Sequence, residues 1–161
     1  MSAERPEHPD LDGTGLSVAI VCARFNQEIT SALLAGAEKA LRASGVDDDR
    51  VRRFFVPGAF ELPLVVKRLA SSGDFDAVIA LGAVIRGETG HYELVANEAA
   101  AGIARAGYDT GVPVIFGVLA TENGDQARAR SGGELGNRGE DAAFAAIEMA
   151  TLLRRMPDRQ G

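Results

Sequence analysis

The sequence predicts an α/β protein built on a four-stranded parallel sheet with helices on both faces. Short apolar runs of the buried-strand type recur along the chain, and each leads into a segment with apolar residues at helical spacing. The connections are short, so consecutive strands join through right-handed helical crossovers. Residues 16–22 are apolar at nearly every position, as in a strand covered on both faces. In the helix that follows, Leu33, Leu34, Ala37 and Leu41 form one stripe, with Gly45 close to its end. Residues 51–56, rich in β-branched and aromatic side chains, make the second strand. Leu62, Val65, Val66 and Leu69 stand at helical spacing in a second helix that Ser71-Ser72-Gly73 ends. A third strand over 77–81 leads into a helix over 92–106. The fourth strand spans 112–119, with Pro113 at its start, where a missing N–H does least harm. A short polar helix over 125–130, a Gly-rich bend and an Ala-rich helix over 140–155 complete the pattern.

At 161 residues the chain holds one domain, expected over 16–156, between a flexible polar arm at 1–15 and a frayed tail at 157–161. The net charge of −6 argues against nucleic acid or an acidic membrane as a general partner. Positive charge is nearly all arginine, because Lys39 and Lys67 are the only lysines. Cys22, the single cysteine, has no partner for an internal disulfide, which fits a reduced, cytoplasmic protein. No apolar run approaches the roughly 18 residues of a membrane span. The arm also lacks the apolar stretch of a signal peptide. His8, His91 and Cys22 are too scattered to give metal-ligand spacing. Neither lysine lies in a motif, so a Schiff base on the protein is not expected.

Each of the four strands ends in something chemically specific, at the carboxyl edge where open α/β sheets bind ligands. The first ends at Arg24-Phe25-Asn26, where Phe25 either caps the core or stacks on a flat ligand. The second runs into Pro57-Gly58-Ala59-Phe60-Glu61-Leu62-Pro63. One reading is a turn and helix start, with Glu61 favoured by the helix dipole. In the other, Ala59 and Phe60 offer backbone groups to a polar ring and Glu61 accepts from ligand hydroxyls. The third ends at Gly82-Ala83-Val84-Ile85-Arg86-Gly87-Glu88-Thr89-Gly90-His91, which matches neither the P-loop nor the G-x-G-x-x-G nucleotide pattern. Backbone N–H groups at a helix start suit a phosphate. His91 brings an imidazole, a side chain suited to moving protons, unless it is only an exposed helix cap. The fourth strand carries Phe116 in Pro113-Val114-Ile115-Phe116-Gly117-Val118-Leu119, either as core or as a stacking surface. Beyond it, Arg128, Arg130 and Arg138 either line a solvated surface or meet a phosphate from the opposite side. A phosphate cradle and a proton carrier in one loop point to an enzyme.

In this order, together with Gly136-Asn137-Arg138-Gly139, the motifs resemble those of the 6,7-dimethyl-8-ribityllumazine synthases of riboflavin biosynthesis, from Leu16 to Met156. The resemblance implies a flavodoxin-like three-layer α/β/α sandwich. It implies condensation of 5-amino-6-(D-ribitylamino)uracil with 3,4-dihydroxy-2-butanone 4-phosphate, releasing phosphate and water, with no metal or organic cofactor. It further implies an active site shared between neighbouring subunits of a pentamer, with icosahedral shells as a further assembly. Carried over by position, Phe25 stacks on the pyrimidine, while Ala59, Phe60 and Glu61 hold the ring edge and ribityl chain. Ala83, Val84 and Ile85 line the ring pocket through their backbone, Glu88 and Thr89 receive the phosphate, and His91 donates and accepts protons. Phe116 and Arg130 come from the adjacent subunit, with Arg130 on the phosphate. Arg138 stands where the family usually has a lysine at the ribityl side, and Gly90 where a bulkier residue or proline is common. No insertion interrupts residues 131–139, which favours a shell over a free pentamer. The alternative is a non-catalytic paralogue that holds a flavin-like ring or builds a shell.

Overall fold

A computed structural model of the chain describes His8 and residues 11–157. Its strands are β1 (Val18–Ala23), β2 (Val51–Val56), β3 (Ala77–Ile85) and β4 (Val114–Thr121), all parallel, in the order β2-β1-β3-β4. Helices α1 (Gln27–Ala43), α2 (Leu62–Ser71) and α3 (His91–Thr110) follow the first three strands. A short helix α4 (Gly124–Ala129), a two-stranded antiparallel hairpin of β5 (Ser131–Gly133) and β6 (Gly136–Asn137), and α5 (Arg138–Arg155) complete the chain. The expected four-stranded parallel sheet between two helical layers is thus observed.

The burial pattern explains the layers. All six residues of β1 are buried, and β3 is buried from Ala77 to Ala83. On one face Ile20, Ile79 and Leu81 pack with Leu33 and Leu41 of α1 and Ile147 of α5. On the other, Val21, Val78 and Ala80 pack with Leu62 and Val66 of α2 and Ala99 and Ile103 of α3. Removing each such aliphatic side chain from water contributes about 1.5–3 kcal/mol. The stripe expected on α1 is real, with Leu33, Ala37 and Leu41 buried and Leu34 at its edge. Among the described residues, no buried side-chain nitrogen or oxygen lacks a hydrogen-bond partner.

Several boundaries differ from the sequence reading. β3 continues past Leu81 to Ile85, because Gly82 to Ile85 pair with Val118 to Thr121 of β4. Gly82 leaves room there rather than ending the strand, since a Cβ would lie 3.2 Å from Leu62 Cδ1. β4 is correspondingly shifted, from the expected 112–119 to Val114–Thr121. α3 starts at His91 and runs on to Thr110, where Gly111 takes the left-handed conformation (φ 69°) that ends it. The Gly-rich bend is the β5–β6 hairpin, and α5 begins at Arg138 because Asn137 caps it, accepting from the Gly139 and Glu140 N–H groups. Of residues 1–15, taken above as an arm, Leu11 packs against the core and the Gly13 N–H donates to Ser44 O (2.7 Å). Residues 1–7, 9 and 10 of that segment, and residues 158–161 of the tail, lie outside the described residues.

α1 and α5 cross at backbone distance. A Cβ on Gly139 would fall 1.9 Å from Leu33 O, and one on Gly36 would fall within 2.5 Å of the Asn137 amide. The Asn137 Nδ2 in turn donates to Ala32 O (3.0 Å). Gly139→Ala therefore forces the two helices apart and should destabilise the fold by about 1–3 kcal/mol or more. Thermal unfolding checks this, and an unchanged midpoint would contradict the close crossing.

Candidate active site

The chain reverses its direction of travel across the sheet after β2, so β1 and β3 lie side by side although helices of opposite layers follow them. Their carboxyl ends diverge at this switch point and leave a crevice. Asn26 shapes it. Its backbone takes the left-handed conformation (φ 61°), which asparagine tolerates better than most residues. Its Nδ2 donates to Ala83 O (3.0 Å), pinning the ends of β1 and β3 to one another. Its carbonyl accepts from Ile29 and Thr30 and so starts α1. This sharp turn throws Phe25 outward, 71% exposed.

The segment after β2 forms the second wall. Extended Gly58 leads into one turn of 3₁₀ helix, Ala59–Glu61, before α2 begins with Pro63 in its first turn. Ala59 is buried, whereas Phe60 is 58% exposed. A Cβ on Gly58 would lie 3.4 Å from Glu61 Oε2 and 3.9 Å from Phe25 Cβ, so carboxylate and ring flank the same glycine. Among the described residues, the Glu61 carboxylate has no hydrogen-bond or ion-pair partner, which leaves its lone pairs for a ligand.

The third wall is the end of β3, the loop from Arg86 to Gly90, and α3. Thr89 Oγ1 accepts from the His91 N–H (3.3 Å), and His91 is exposed at the first position of the helix. Gly90 has φ −70°, a conformation open to any residue, so the backbone does not require glycine there. Arg86 stands beside the loop with Nε 2.8 Å from Glu122 Oε2 and a second ion pair to Glu93, its guanidinium carbon 4.5 Å from the Tyr92 ring centre.

These walls enclose a cavity of about 580 Å³, which brings together Phe25, Ala59, Phe60, Glu61, Ala83, Val84, Ile85, Thr89 and His91. Glu88 is exposed and does not line it. Asn26, Tyr92, Leu94 and Val95 also line it, and the sequence reading did not single them out. Leu94 and Val95 stand three and four places beyond His91, so the helical spacing was a usable signal for them.

Phe116, Arg130 and Arg138 are elsewhere. They line a second cavity, also about 580 Å³, formed by β4, α5 and the segment between them. Phe116 is 49% exposed there. Arg130 Nη1 donates to Gln126 O (3.0 Å), and the β5–β6 hairpin returns the chain so that the Arg138 N–H donates to Arg130 O (2.9 Å). Among the described residues, neither guanidinium has an ion-pair partner. The consequence is a separation of charge. No arginine or lysine lines the His91 cavity, while two arginines line the other.

Among the described residues, no cluster of His, Cys, Asp or Glu is placed to hold a metal, and no helix is long and apolar enough to cross a membrane. Cys22 is buried, and burial pushes its thiol up, away from the reactive thiolate.

Sheet order, helical layers and crevice define a flavodoxin-like α/β sandwich with a small-molecule site at its switch point. Residues 15–154 match the model of the 6,7-dimethyl-8-ribityllumazine synthase family. The match takes in nearly every described residue, and the chain belongs to that family.

The ion pair beside the loop has a measurable sign. The hydrogen bond from Arg86 is the main cause holding the Glu93 carboxyl below its ordinary 4.5. A carboxylate depressed on folding stabilises the fold above that value and loses the contribution as pH falls through the lower, folded one. The thermal midpoint of wild type should therefore exceed that of Glu93→Gln at pH 6, with the gap closing below about pH 4.5. A gap independent of pH would remove the ion pair from the account.

Proposed function

We propose that this chain is a working lumazine synthase, condensing 5-amino-6-(D-ribitylamino)uracil with 3,4-dihydroxy-2-butanone 4-phosphate and releasing phosphate and water. The observation that carries this reading is the separation of charge. The His91 cavity offers an apolar ring site, an unpaired carboxylate and a proton carrier, but no cation. A phosphate ester there needs a guanidinium from outside the chain's own cavity. Arg130 and Arg138, unpaired on the β4–α5 side, fit that need if a second copy presents this side to the cavity.

The surface supports such an arrangement. Tyr108, Phe116 and Met149, exposed on α3, β4 and α5, line one shallow apolar groove of the kind that subunit contacts cover. A contact between two different faces of identical chains is head-to-tail, and with the right rotation it closes into a ring. The family's pentamer, alone or assembled into an icosahedral shell, is such a ring.

In this reading Phe25 stacks on the pyrimidine, and the backbone of Ala83, Val84 and Ile85 with Ala59 and Phe60 fixes the ring edge. Glu61 accepts from the ribityl hydroxyls, with Arg138 of the neighbour on the same side. Thr89 and the loop N–H groups hold the phosphate, with Arg130 of the neighbour opposite and Glu88 at the exposed lip. Phe116 of the neighbour closes the ring pocket. The amine that attacks the ketone belongs to the uracil substrate, so no lysine is required of the protein. His91 moves the protons for imine formation, phosphate loss and ring closure. Holding two substrates in register supplies much of the acceleration by itself. Neither a metal nor an organic cofactor has a step to perform, and the cytoplasm is the expected compartment.

Lumazine formation followed by absorbance, with and without protein, tests the reading directly. A protein-dependent rate above the uncatalysed condensation is expected. No excess rate from folded, assembled protein would overturn the proposal in favour of ligand binding or shell building. His91→Ala should lower kcat by about 100-fold while sparing assembly. Arg130→Ala should chiefly raise KM for the phosphorylated substrate, by about 10-fold or more. An unchanged kcat in the first, or an unchanged KM in the second, would reassign that residue.

A further inference from the structure

We propose that Arg86 is a positioning residue for His91, an inference that rests on His91 being the proton carrier. Arg86 is the first residue beyond β3, and its N–H donates to Thr121 O at the end of β4 (2.8 Å). Its guanidinium then reaches three partners. Nη1 donates to Glu93 Oε1, Nε is ion-paired with Glu122 Oε2 (2.8 Å), and the guanidinium carbon lies over the Tyr92 ring at 4.5 Å. Tyr92 and Glu93 are the second and third residues of α3, and Glu122 follows β4 directly. One side chain therefore ties the ends of two strands to the first turn of the helix that opens with His91.

The other local restraints on that turn are weak. The bond from the His91 N–H to Thr89 Oγ1 is 3.3 Å, and that from the Leu94 N–H to Gly90 O is 3.5 Å. Gly87 has open space around it, with nothing within 4 Å of where a Cβ would stand. A loop with glycines at both 87 and 90 has more backbone freedom than other residues would allow. The guanidinium removes that freedom from outside, because it engages two carboxylates while its carbon stands over an aromatic ring. Lysine offers a point charge and neither of those geometries. Arg86 does not line the cavity, and its two carboxylate partners answer its charge, so it is not placed as a phosphate ligand.

The test combines kinetics with hydrogen–deuterium exchange on the assembled protein. Arg86→Ala should lower kcat by about 10- to 100-fold, the scale of a displaced catalytic group, with smaller changes in either KM. Arg86→Lys should recover only part of the rate. Placed in the His91→Ala background, Arg86→Ala should cost little more, because a residue acting through the imidazole has nothing left to position. Exchange of amides 87–94 should rise in Arg86→Ala, and that of α1 should not. An equal loss of kcat in both backgrounds overturns the proposal, as does unchanged exchange over 87–94. If Arg86→Ala fails to assemble, Glu122→Gln removes one ion pair and carries the same two readouts. If wild type forms no lumazine above background, the functional assignment fails instead, and the exchange data alone decide whether Arg86 holds the turn.

Discussion

β1 is hydrogen-bonded along both edges and covered on both faces, and the rest of the molecule is arranged around that constraint. A strand so enclosed admits no polar side chain and no irregular backbone until it ends. The first residues free to turn are Arg24 to Asn26, and they turn at the place where β3 also ends. The Asn26–Ala83 hydrogen bond fixes the distance between the two strand ends. Phe25, Glu61 and His91 thereby reach one crevice from three separate loops. The site is a by-product of closing the sheet, which is why its walls are strand ends and helix starts rather than a long flexible loop.

Charge then divides the labour. The crevice concentrates apolar surface, one unpaired carboxylate and one imidazole, and Arg86, beside its loop, is already committed to Glu93 and Glu122. Arg130 and Arg138, without an ion-pair partner among the described residues, line the separate cavity between β4 and α5. Placing them in the crevice of the same chain would have let Glu61 neutralise them before any ligand arrived. In the proposed ring, keeping the two halves apart until copies meet preserves both the acceptor and the donors.

Much of this was legible in the sequence, because the signals for it are local. Apolar runs and helical stripes depend on neighbouring residues, and they gave the layers, the strand count and the loop that leads into His91. The errors fall where long-range contacts decide. Gly82 read as the end of a strand, yet pairing with β4 carries β3 through it, and the glycine answers to Leu62 in another layer. Asn137 read as part of a Gly-rich bend, although it is the cap that starts α5. Phe116, Arg130 and Arg138 stand among the other motifs in one dimension. That they face a different cavity is a property of three dimensions, which the family resemblance anticipated for Phe116 and Arg130 but not for Arg138.

Asn137 also has a consequence for how the chain is made. Its carbonyl oxygen caps α5 while its amide nitrogen donates to Ala32, 105 residues earlier. Aspartate would keep the cap and lose the donor, so the helix end is specified by a helix from the start of the chain. Pairing of this kind raises contact order, which slows folding. During synthesis, the face of β1 and β3 that Ile147 covers stays open until nearly the whole chain has left the ribosome. A nascent chain short of α5 is therefore a half-covered sheet, exposed to aggregation until the last helix arrives.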